Sequence, residues 1–155
     1  MNKDEFTARM EAMLGTLYGV ARTYLRIPAD CADAVQEAAL KAWRGLPSLR
    51  NEDFFETWVV RILINECKAI LRKGKRVVLM AETPDTRAPQ EADPAVYEAI
   101  FALDIRYRAP FVLHHVEGYS VKEIAMMLHL PKGTVTSRLQ RARKNLQRIY
   151  GGDLV

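Results

Sequence analysis

Apolar residues recur along most of this chain at spacings of three and four, the period of a helix with one buried face. The pattern is clearest near the carboxyl end, where it predicts a long helix that packs against its domain along one stripe. This stripe consists of Val135, Leu139, Ala142, Leu146 and Ile149.

A shorter helix with its own starting signal is predicted just before the long one. Ser120 and Glu123 have the spacing of a capping box, in which two residues satisfy each other's backbone N–H groups. Pro131 lacks an N–H group, so it interrupts this helix and suits the first turn of the next. A helix, a tight turn and a second helix together predict a helix-turn-helix motif.

The long helix is strongly basic on the side opposite its apolar stripe. Residues 132–148 contain six basic side chains and no acidic one. A recognition helix contacts base edges with its first two turns, so the pattern favours a reader of the DNA major groove. Candidates for base contacts are Thr136, Ser137, Gln140 and Arg141, and candidates for phosphate contacts are Lys132, Lys144 and Arg148. Arg138 has two alternatives, a contact with DNA or an ion pair with Glu123.

Three more amphipathic helices are predicted in the first half of the chain. The first carries an apolar stripe over residues 6–24 that includes Leu14. Asp30 is expected to cap the second, whose core face includes Trp43. The third runs from around residue 51 to about residue 73 and is apolar in its middle. Further helices are expected between the linker described next and the helix-turn-helix, and the chain has no convincing strand pattern.

A segment rich in proline and acidic residues separates the two sets of helices. Residues 83–94 contain three prolines and no large apolar residue, which is typical of a linker. We therefore predict an all-α protein of two small helical domains joined by a flexible linker, the second with the helix-turn-helix. The domains are residues 1–76 and 95–155, and the acidic linker is residues 77–94.

Composition excludes several classes of function. Of the 155 residues 49% are hydrophobic, which is enough for a buried core. Cys31 and Cys67 are too few for a disulfide scaffold and lack the spacing of a zinc site. The chain has no glycine-rich phosphate loop and no catalytic arrangement, so we expect no enzyme activity, metal, cofactor or small-molecule substrate. It also has no apolar run of about 20 residues and no signal peptide, which predicts a soluble cytoplasmic protein.

The predicted second helix carries a different pattern on its outward side. An acidic and amide stripe with a leucine in its middle recurs there with helical spacing, formed by Asp33, Gln36, Glu37, Leu40 and Arg44. Such a stripe favours docking of a basic partner helix, although simple contact with solvent is the alternative for any charged helix face.

The predicted third helix combines aromatic residues at its start with a basic end. Five cations and no acid lie between residues 68 and 76, and their mutual repulsion favours a polyanion as ligand. Aromatic rings together with cations are typical of sites for single-stranded or unstacked bases. Phe55 and Trp58 also fit a core stripe.

The two halves together resemble a bacterial RNA polymerase sigma factor of the extracytoplasmic-function (ECF) class. The first half carries the resemblance in residues 33–43, DAVQEAALKAW, and residues 55–72, FETWVVRILINECKAILR. The second half carries it in Glu123-Ile-Ala, Leu130-Pro, Gly133-Thr-Val and residues 137–143, SRLQRAR. The resemblance covers nearly the whole chain in the right order.

The resemblance implies a factor for transcription initiation, associated with stress responses, that binds core RNA polymerase and promoter DNA. The implied contacts with the clamp helices of the polymerase come from Asp33, Gln36, Glu37, Leu40 and Trp43, although Trp43 also fits the core stripe. The implied contacts with the −10 element, where an extruded base is held, come from Asn51, Phe54, Asn65, Lys68 and Arg72.

The same resemblance assigns the −35 element to the second helix of the helix-turn-helix. The implied contacts come from Lys132, Thr136, Ser137, Arg138, Gln140, Arg141 and Lys144. Thr136 stands at a position that is often basic in members of the class. Regulation in this class often comes from an anti-sigma protein, frequently membrane-bound, so such a partner is expected here.

Two other classes of protein are alternatives. A stand-alone helix-turn-helix repressor or activator acting as a dimer would bind a palindromic site, but it leaves the basic end of the third helix unexplained. An adaptor that binds only other proteins would not need the cations of residues 132–148.

Overall fold

The computed structural model describes residues 1–76 and 94–151, and within these ranges the regular structure is helical with no strand. The chain divides into two compact units, Met1–Ala88 and Pro89–Val155. The predicted all-α fold class is therefore confirmed. The predicted linker falls outside the described residues except for Pro94, which begins a helix.

Three helices form the first unit. They are α1 (Lys3–Tyr24), α2 (Pro28–Gly45) and α3 (Phe55–Arg76), and each packs against the other two. Two short 3₁₀ turns, Leu46–Ser48 and Glu52–Phe54, connect α2 to α3.

The start of α2 differs from the prediction. Ile27 occupies the N-cap position and Pro28 the first helical position, so Asp30 is not the cap. The fixed φ of proline is already suitable for a helix, which lets α2 begin three residues earlier than an Asp30 cap would allow. Asp30 lies in the first turn, where a carboxylate still interacts favourably with the helix dipole.

The middle of α3 forms the centre of the first unit. Phe55, Val59, Val60 and Leu63 are 0% exposed. The Phe55 ring lies edge-on to that of Phe6, with 5.8 Å between the ring centroids. A single helix thus supplies most of the apolar surface that α1 and α2 cover, as its apolar middle predicts.

Four helices form the described part of the second unit. They are α4 (Pro94–Phe101), α5 (Ile105–Phe111), α6 (Val121–Leu128) and α7 (Lys132–Tyr150), and a π-helical turn, Val112–Val116, follows α5. The helices α6 and α7 form the predicted helix-turn-helix. Ala142 and Leu146 of α7 pack into a core with Ile100, Leu103, Phe111 and Val112. Across the described residues of both units, no helix is both long and apolar enough to cross a membrane.

Three residues predicted to be core are exposed instead. Leu14 and Trp43 are 41% and 43% exposed, because each lies at the edge of its apolar stripe. Around the helix axis, Leu14 is about 80° from Phe6 and Trp43 is about 80° from Val35, the first residue of each stripe. Ile149 is 46% exposed although its direction fits the stripe, because it lies in the last turn of α7. Periodicity gives the direction of a side chain but not the extent of the neighbour that covers it.

Replacing Val135 by Asp should unfold the second unit, because Val135 is 0% exposed and the new carboxylate would be buried without a partner. Ile149→Asp places the same charge on the exposed end of the same helix and should leave folding intact. Circular dichroism and thermal unfolding of the full chain measure both variants. Equal stability of the two would contradict the described packing of α7.

Candidate functional site

The turn between α6 and α7 is held by backbone and side-chain hydrogen bonds. Ser120 Oγ accepts the Glu123 N–H (3.1 Å), and the Glu123 carboxylate accepts the Ser120 N–H (2.9 Å), so the predicted capping box is confirmed. His129 ends α6 in the left-handed region, at φ 60°, which glycine usually occupies. The following Leu130 N–H bonds to the Ala125 carbonyl. These contacts fix where α7 begins relative to α6.

The segment before α6 is also fixed by specific contacts. Gly118 has a φ of +82°, which a glycine adopts without strain. His114 Nδ1 lies 2.9 Å from the Tyr119 carbonyl oxygen, and the His115 ring packs on Phe111 at 4.7 Å between centroids. Partial burial, followed by the nearby charges of His114 and Arg143, lowers the pKa of His115.

The first turns of α7 present polar and basic side chains to solvent. Val135 and Ala142 are 0% exposed, so the rotation of α7 about its axis is set by the core. Six of the seven residues predicted to read the −35 element are exposed: Lys132, Thr136, Ser137, Gln140, Arg141 and Lys144. The chemistry of this surface, with cations and hydroxyl and amide groups, matches what phosphates and base edges require.

Arg138 is the seventh, and it is partly buried. Its predicted alternative partner, Glu123, is occupied by the capping box, and the described residues contain no ion pair between the two. Arg138 instead lines a cleft beside α5. The two predicted alternatives for Arg138 were a contact with DNA and an ion pair with Glu123, and the ion pair is not formed in this structure.

The outward surface of α2 is acidic with two exposed apolar residues. Asp33 and Gln36 are exposed and Glu37 is half-buried, while Leu40 and Trp43 are 48% and 43% exposed. The inner side of the Trp43 indole rests on Phe6, 5.1 Å between centroids. This contact accounts for the partial fit of Trp43 to the core stripe, and its outer side remains available to a partner.

An ion pair holds α2 against α3. Lys41 Nζ of α2 pairs with the Glu66 carboxylate of α3, which is largely buried, and this pair raises the pKa of Lys41. The ion pair and the hydrophobic core therefore both fix the orientation of α2 relative to α3.

One face of α3 carries polar residues that were predicted to meet the −10 element. Asn65, Lys68 and Arg72 are exposed and, at about 100° per residue, lie within about 60° of one another. Arg61 is exposed on the same face, one turn before Asn65, and was not predicted as a site residue. The sequence does single out Arg61, because it is the one charged residue in the apolar middle of α3.

The loop before α3 brings an exposed aromatic ring beside a buried one. Phe54 is 44% exposed, whereas the adjacent Phe55 is fully buried. The Asn51 side chain accepts the Asp53 N–H (2.9 Å) and so caps the turn that carries Phe54. The amino terminus pairs with Glu52 (2.9 Å), which ties the loop to α1.

The two cysteines lie in the core of the first unit. Burial raises the pKa of Cys31 to about 11 and that of Cys67 to about 12, so both thiols are protonated at neutral pH. Within residues 1–76 and 94–151, no group of three His, Cys, Asp or Glu residues is placed to hold a metal ion.

Comparison with known families matches both units. Residues 10–77 match the family model described as Sigma-70 region 2, and residues 94–146 match the one described as Sigma-70, region 4. The ECF RNA polymerase sigma factor SigM of Mycobacterium tuberculosis H37Rv is 36% identical over 140 residues, covering 87% of this chain and 71% of that protein. The ECF RNA polymerase sigma-E factor of Escherichia coli K12 is 30% identical over 135 residues, covering 74% and 71% respectively.

Two solved structures have a similar fold. The sigma factor RpoE of Bartonella quintana, solved with the anti-sigma factor NepR, aligns with a TM-score of 0.82 at 25% identity. That alignment covers 96% of this chain and 98% of RpoE. CnrH, solved with the cytosolic domain of CnrY, aligns with a TM-score of 0.73 at 24% identity, covering 96% and 88%.

Ser120→Ala should lower the stability of the second unit by about 1 kcal/mol, because it removes the acceptor for the Glu123 N–H. Glu123→Gln keeps a side-chain oxygen that can accept the Ser120 N–H, so it should cost less. Chemical unfolding of the full chain measures both. A larger loss for Glu123→Gln would contradict the capping role and favour an ion pair with Arg138.

Proposed function

Because the chain belongs to the ECF family of RNA polymerase sigma factors, we propose that its two units bind the two elements of a promoter through the surfaces described above. A sigma factor binds core RNA polymerase and directs where transcription begins. The chemistry of RNA synthesis belongs to the polymerase, so the proposal gives this chain no catalytic step. Its place of action is the cytoplasm, where the polymerase and the promoter are.

The −35 element is assigned to α7, and the observation that carries this assignment is the exposure of its polar side. Val135 and Ala142 are buried, so Ser137, Gln140 and Arg141 project from a helix that cannot rotate. Rigid donors and acceptors lose little conformational freedom on binding, which favours specific readout of base edges. Lys132 and Lys144 are suited to phosphates, which position the helix without reading sequence.

The −10 element is assigned to the loop before α3 and the polar face of α3. The exposed Phe54 ring supplies a surface on which an unstacked base can lie, and Asn65 supplies amide groups for hydrogen bonds. Lys68 and Arg72 follow along the same face and suit the backbone of a single strand. Capture of an extruded base offsets the cost of opening the duplex, so no nucleotide hydrolysis is required.

Core polymerase is assigned to the outward surface of α2. Leu40 and Trp43 are large exposed apolar residues inside an acidic and amide surface, an arrangement common at the centres of protein interfaces. Asp33 and Glu37 add the charge that guides a basic partner into register.

An anti-sigma protein is the proposed regulator. The RpoE relative was solved in complex with the anti-sigma factor NepR, and RpoE aligns with 96% of this chain. A partner of that kind would inhibit this chain by covering the surfaces that bind polymerase and promoter. The stand-alone dimeric repressor or activator is not favoured, because the first unit matches Sigma-70 region 2.

Reconstituted transcription tests the central proposal. Core polymerase and the full chain are combined on a library of promoter sequences, and specific transcripts should appear only when the chain is present. Arg141→Ala should cost about 1–3 kcal/mol of binding to the selected −35 sequence if Arg141 makes a bidentate base contact. Arg143→Ala removes a cation from the same helix outside the predicted contacts and serves as control. An unchanged −35 preference in Arg141→Ala would contradict that assignment.

Charge reversal on α2 tests the polymerase surface. Asp33→Lys and Glu37→Lys should weaken binding to core polymerase, since each replaces an attraction by a repulsion, while helical content stays unchanged. Glu11→Lys makes the same change on the exposed side of α1. Titration of labelled chain with core polymerase measures the affinities. Equal binding by all three variants would show that α2 is not the docking surface.

Removal of one aromatic ring tests the −10 assignment. Phe54→Ala should leave the fold and polymerase binding intact but weaken promoter opening, because base stacking on an aromatic ring is worth about 1–3 kcal/mol. Phe55→Ala, one residue later, should instead destabilise the first unit by about 3–5 kcal/mol. Permanganate reactivity of −10 thymines reports opening. Normal opening by Phe54→Ala would remove Phe54 from the site.

A further inference from the structure

A cleft of about 310 Å³ runs along one flank of α7 in the second unit. Its walls come from two helices: Arg106 and Tyr107 of α5, and Gly133, Thr134, Ser137, Arg138 and Arg141 of α7. Three of the seven described lining residues are arginines, and none is acidic. The α5 side of this cleft is not part of the helix-turn-helix.

The two walls are held together by the hydrophobic core. Phe111 at the end of α5 and Val112 directly after it pack in one cluster with Ala142 and Leu146 of α7. On α7, Thr134, Arg138 and Arg141 lie within about 60° of one another on the flank that faces α5. The positive charges are therefore brought together by a rigid frame and need no rearrangement to act on one ligand.

Among residues 94–151, acidic side chains compensate only part of the charge of this cluster. Arg106 Nε pairs with Asp104 Oδ1 at 3.2 Å. The two side chains are 59% and 50% exposed, so water weakens the pair. The neighbouring Arg108 is directed elsewhere: it lies over the Phe101 ring at 4.2 Å and donates to the Leu103 carbonyl. A cleft with three arginines and one nearby carboxylate favours an anion as its ligand.

The position of the cleft identifies which anion. Ser137 and Arg141 line it and also belong to the surface of α7 that is assigned to the −35 element. A duplex that occupies that surface places its sugar-phosphate backbone along the flanks of the helix. Arginine binds phosphate oxygens through two parallel N–H groups, and a serine hydroxyl can donate a third hydrogen bond.

We propose that the cleft between α5 and α7 binds a backbone phosphate of promoter DNA beside the bases that α7 reads, with Arg106 as a contact residue outside the helix-turn-helix. The inference rests on the proposed −35 function. A phosphate bound between α5 and α7 would attach the second unit to DNA at a point to one side of α7. This anchor sets the angle at which α7 enters the groove, which is how phosphate contacts contribute to register.

Salt dependence of DNA binding provides the first test. Holoenzyme made from core polymerase and the full chain is titrated with the −35 duplex selected from the promoter library. Arg106→Gln should weaken binding roughly tenfold, as for a lost hydrogen bond to a charged group. It should also lower the slope of log affinity against log salt by about one, the value for one lost phosphate contact.

The matched control removes the same charge elsewhere on the same unit. Arg143 is exposed on α7 and does not line the cleft. Arg143→Gln should therefore change affinity and slope by less than half as much as Arg106→Gln. Arg106→Lys retains the charge and should keep most of the slope, because a lysine still reaches phosphate as a point charge.

Neutral phosphates locate the contact. Methylphosphonates are placed one at a time along the −35 duplex, and wild-type holoenzyme should lose affinity at one position next to the bases read by α7. At that position Arg106→Gln should lose nothing further, because the two changes remove the same interaction. Additive losses at every position, or equal behaviour of Arg106→Gln and Arg143→Gln, would overturn the proposal. If wild-type holoenzyme itself shows no −35 preference, the proposed function fails and this inference falls with it.

Discussion

Each long helix of this protein buries one narrow apolar stripe, and this burial fixes the direction in which its opposite face points. In α7 the stripe includes Val135 and Ala142, both without exposed surface, and in α3 it includes Val59 and Leu63. Rotation of either helix would expose these apolar residues to water and bury charged ones, and each change costs free energy. The opposite face of each helix is therefore held in one direction, and those faces carry the residues assigned to DNA.

Short polar contacts then set how the helices meet. The reciprocal hydrogen bonds of Ser120 and Glu123 cap the start of α6. His129 ends the helix in the left-handed conformation, and the N–H of the next residue, Leu130, donates a hydrogen bond to the Ala125 carbonyl. A non-glycine residue in that conformation costs free energy, so the surrounding packing must hold it in place. In the first unit, Lys41 and Glu66 play a comparable part by joining α2 to α3.

Charge is separated between surfaces in a way that suits a protein with two kinds of partner. The outward face of α2 presents Asp33 and Glu37, whereas the end of α3 and the outer side of α7 are basic. An acidic surface binds a basic protein and is repelled by DNA, and a basic surface does the reverse. Under the proposed assignments, the acidic surface of α2 would therefore attract polymerase, and the basic surfaces of α3 and α7 would attract promoter DNA.

The helices, their approximate limits, the capping box and the helix-turn-helix depend on residues three or four positions apart, so they could be predicted from the sequence. The direction of Val135 and Leu146 toward a core could be predicted in the same way. The exposure of Leu14, Trp43 and Ile149 could not be predicted, since it depends on how far a neighbouring helix covers each side chain. The predicted cap at Asp30 was wrong, although Pro28 carries a local signal for the start of α2 because proline is favoured at the first helical position. Arg106 beside Arg141 was not readable, because residues 35 positions apart meet only through the packing of α5 on α7.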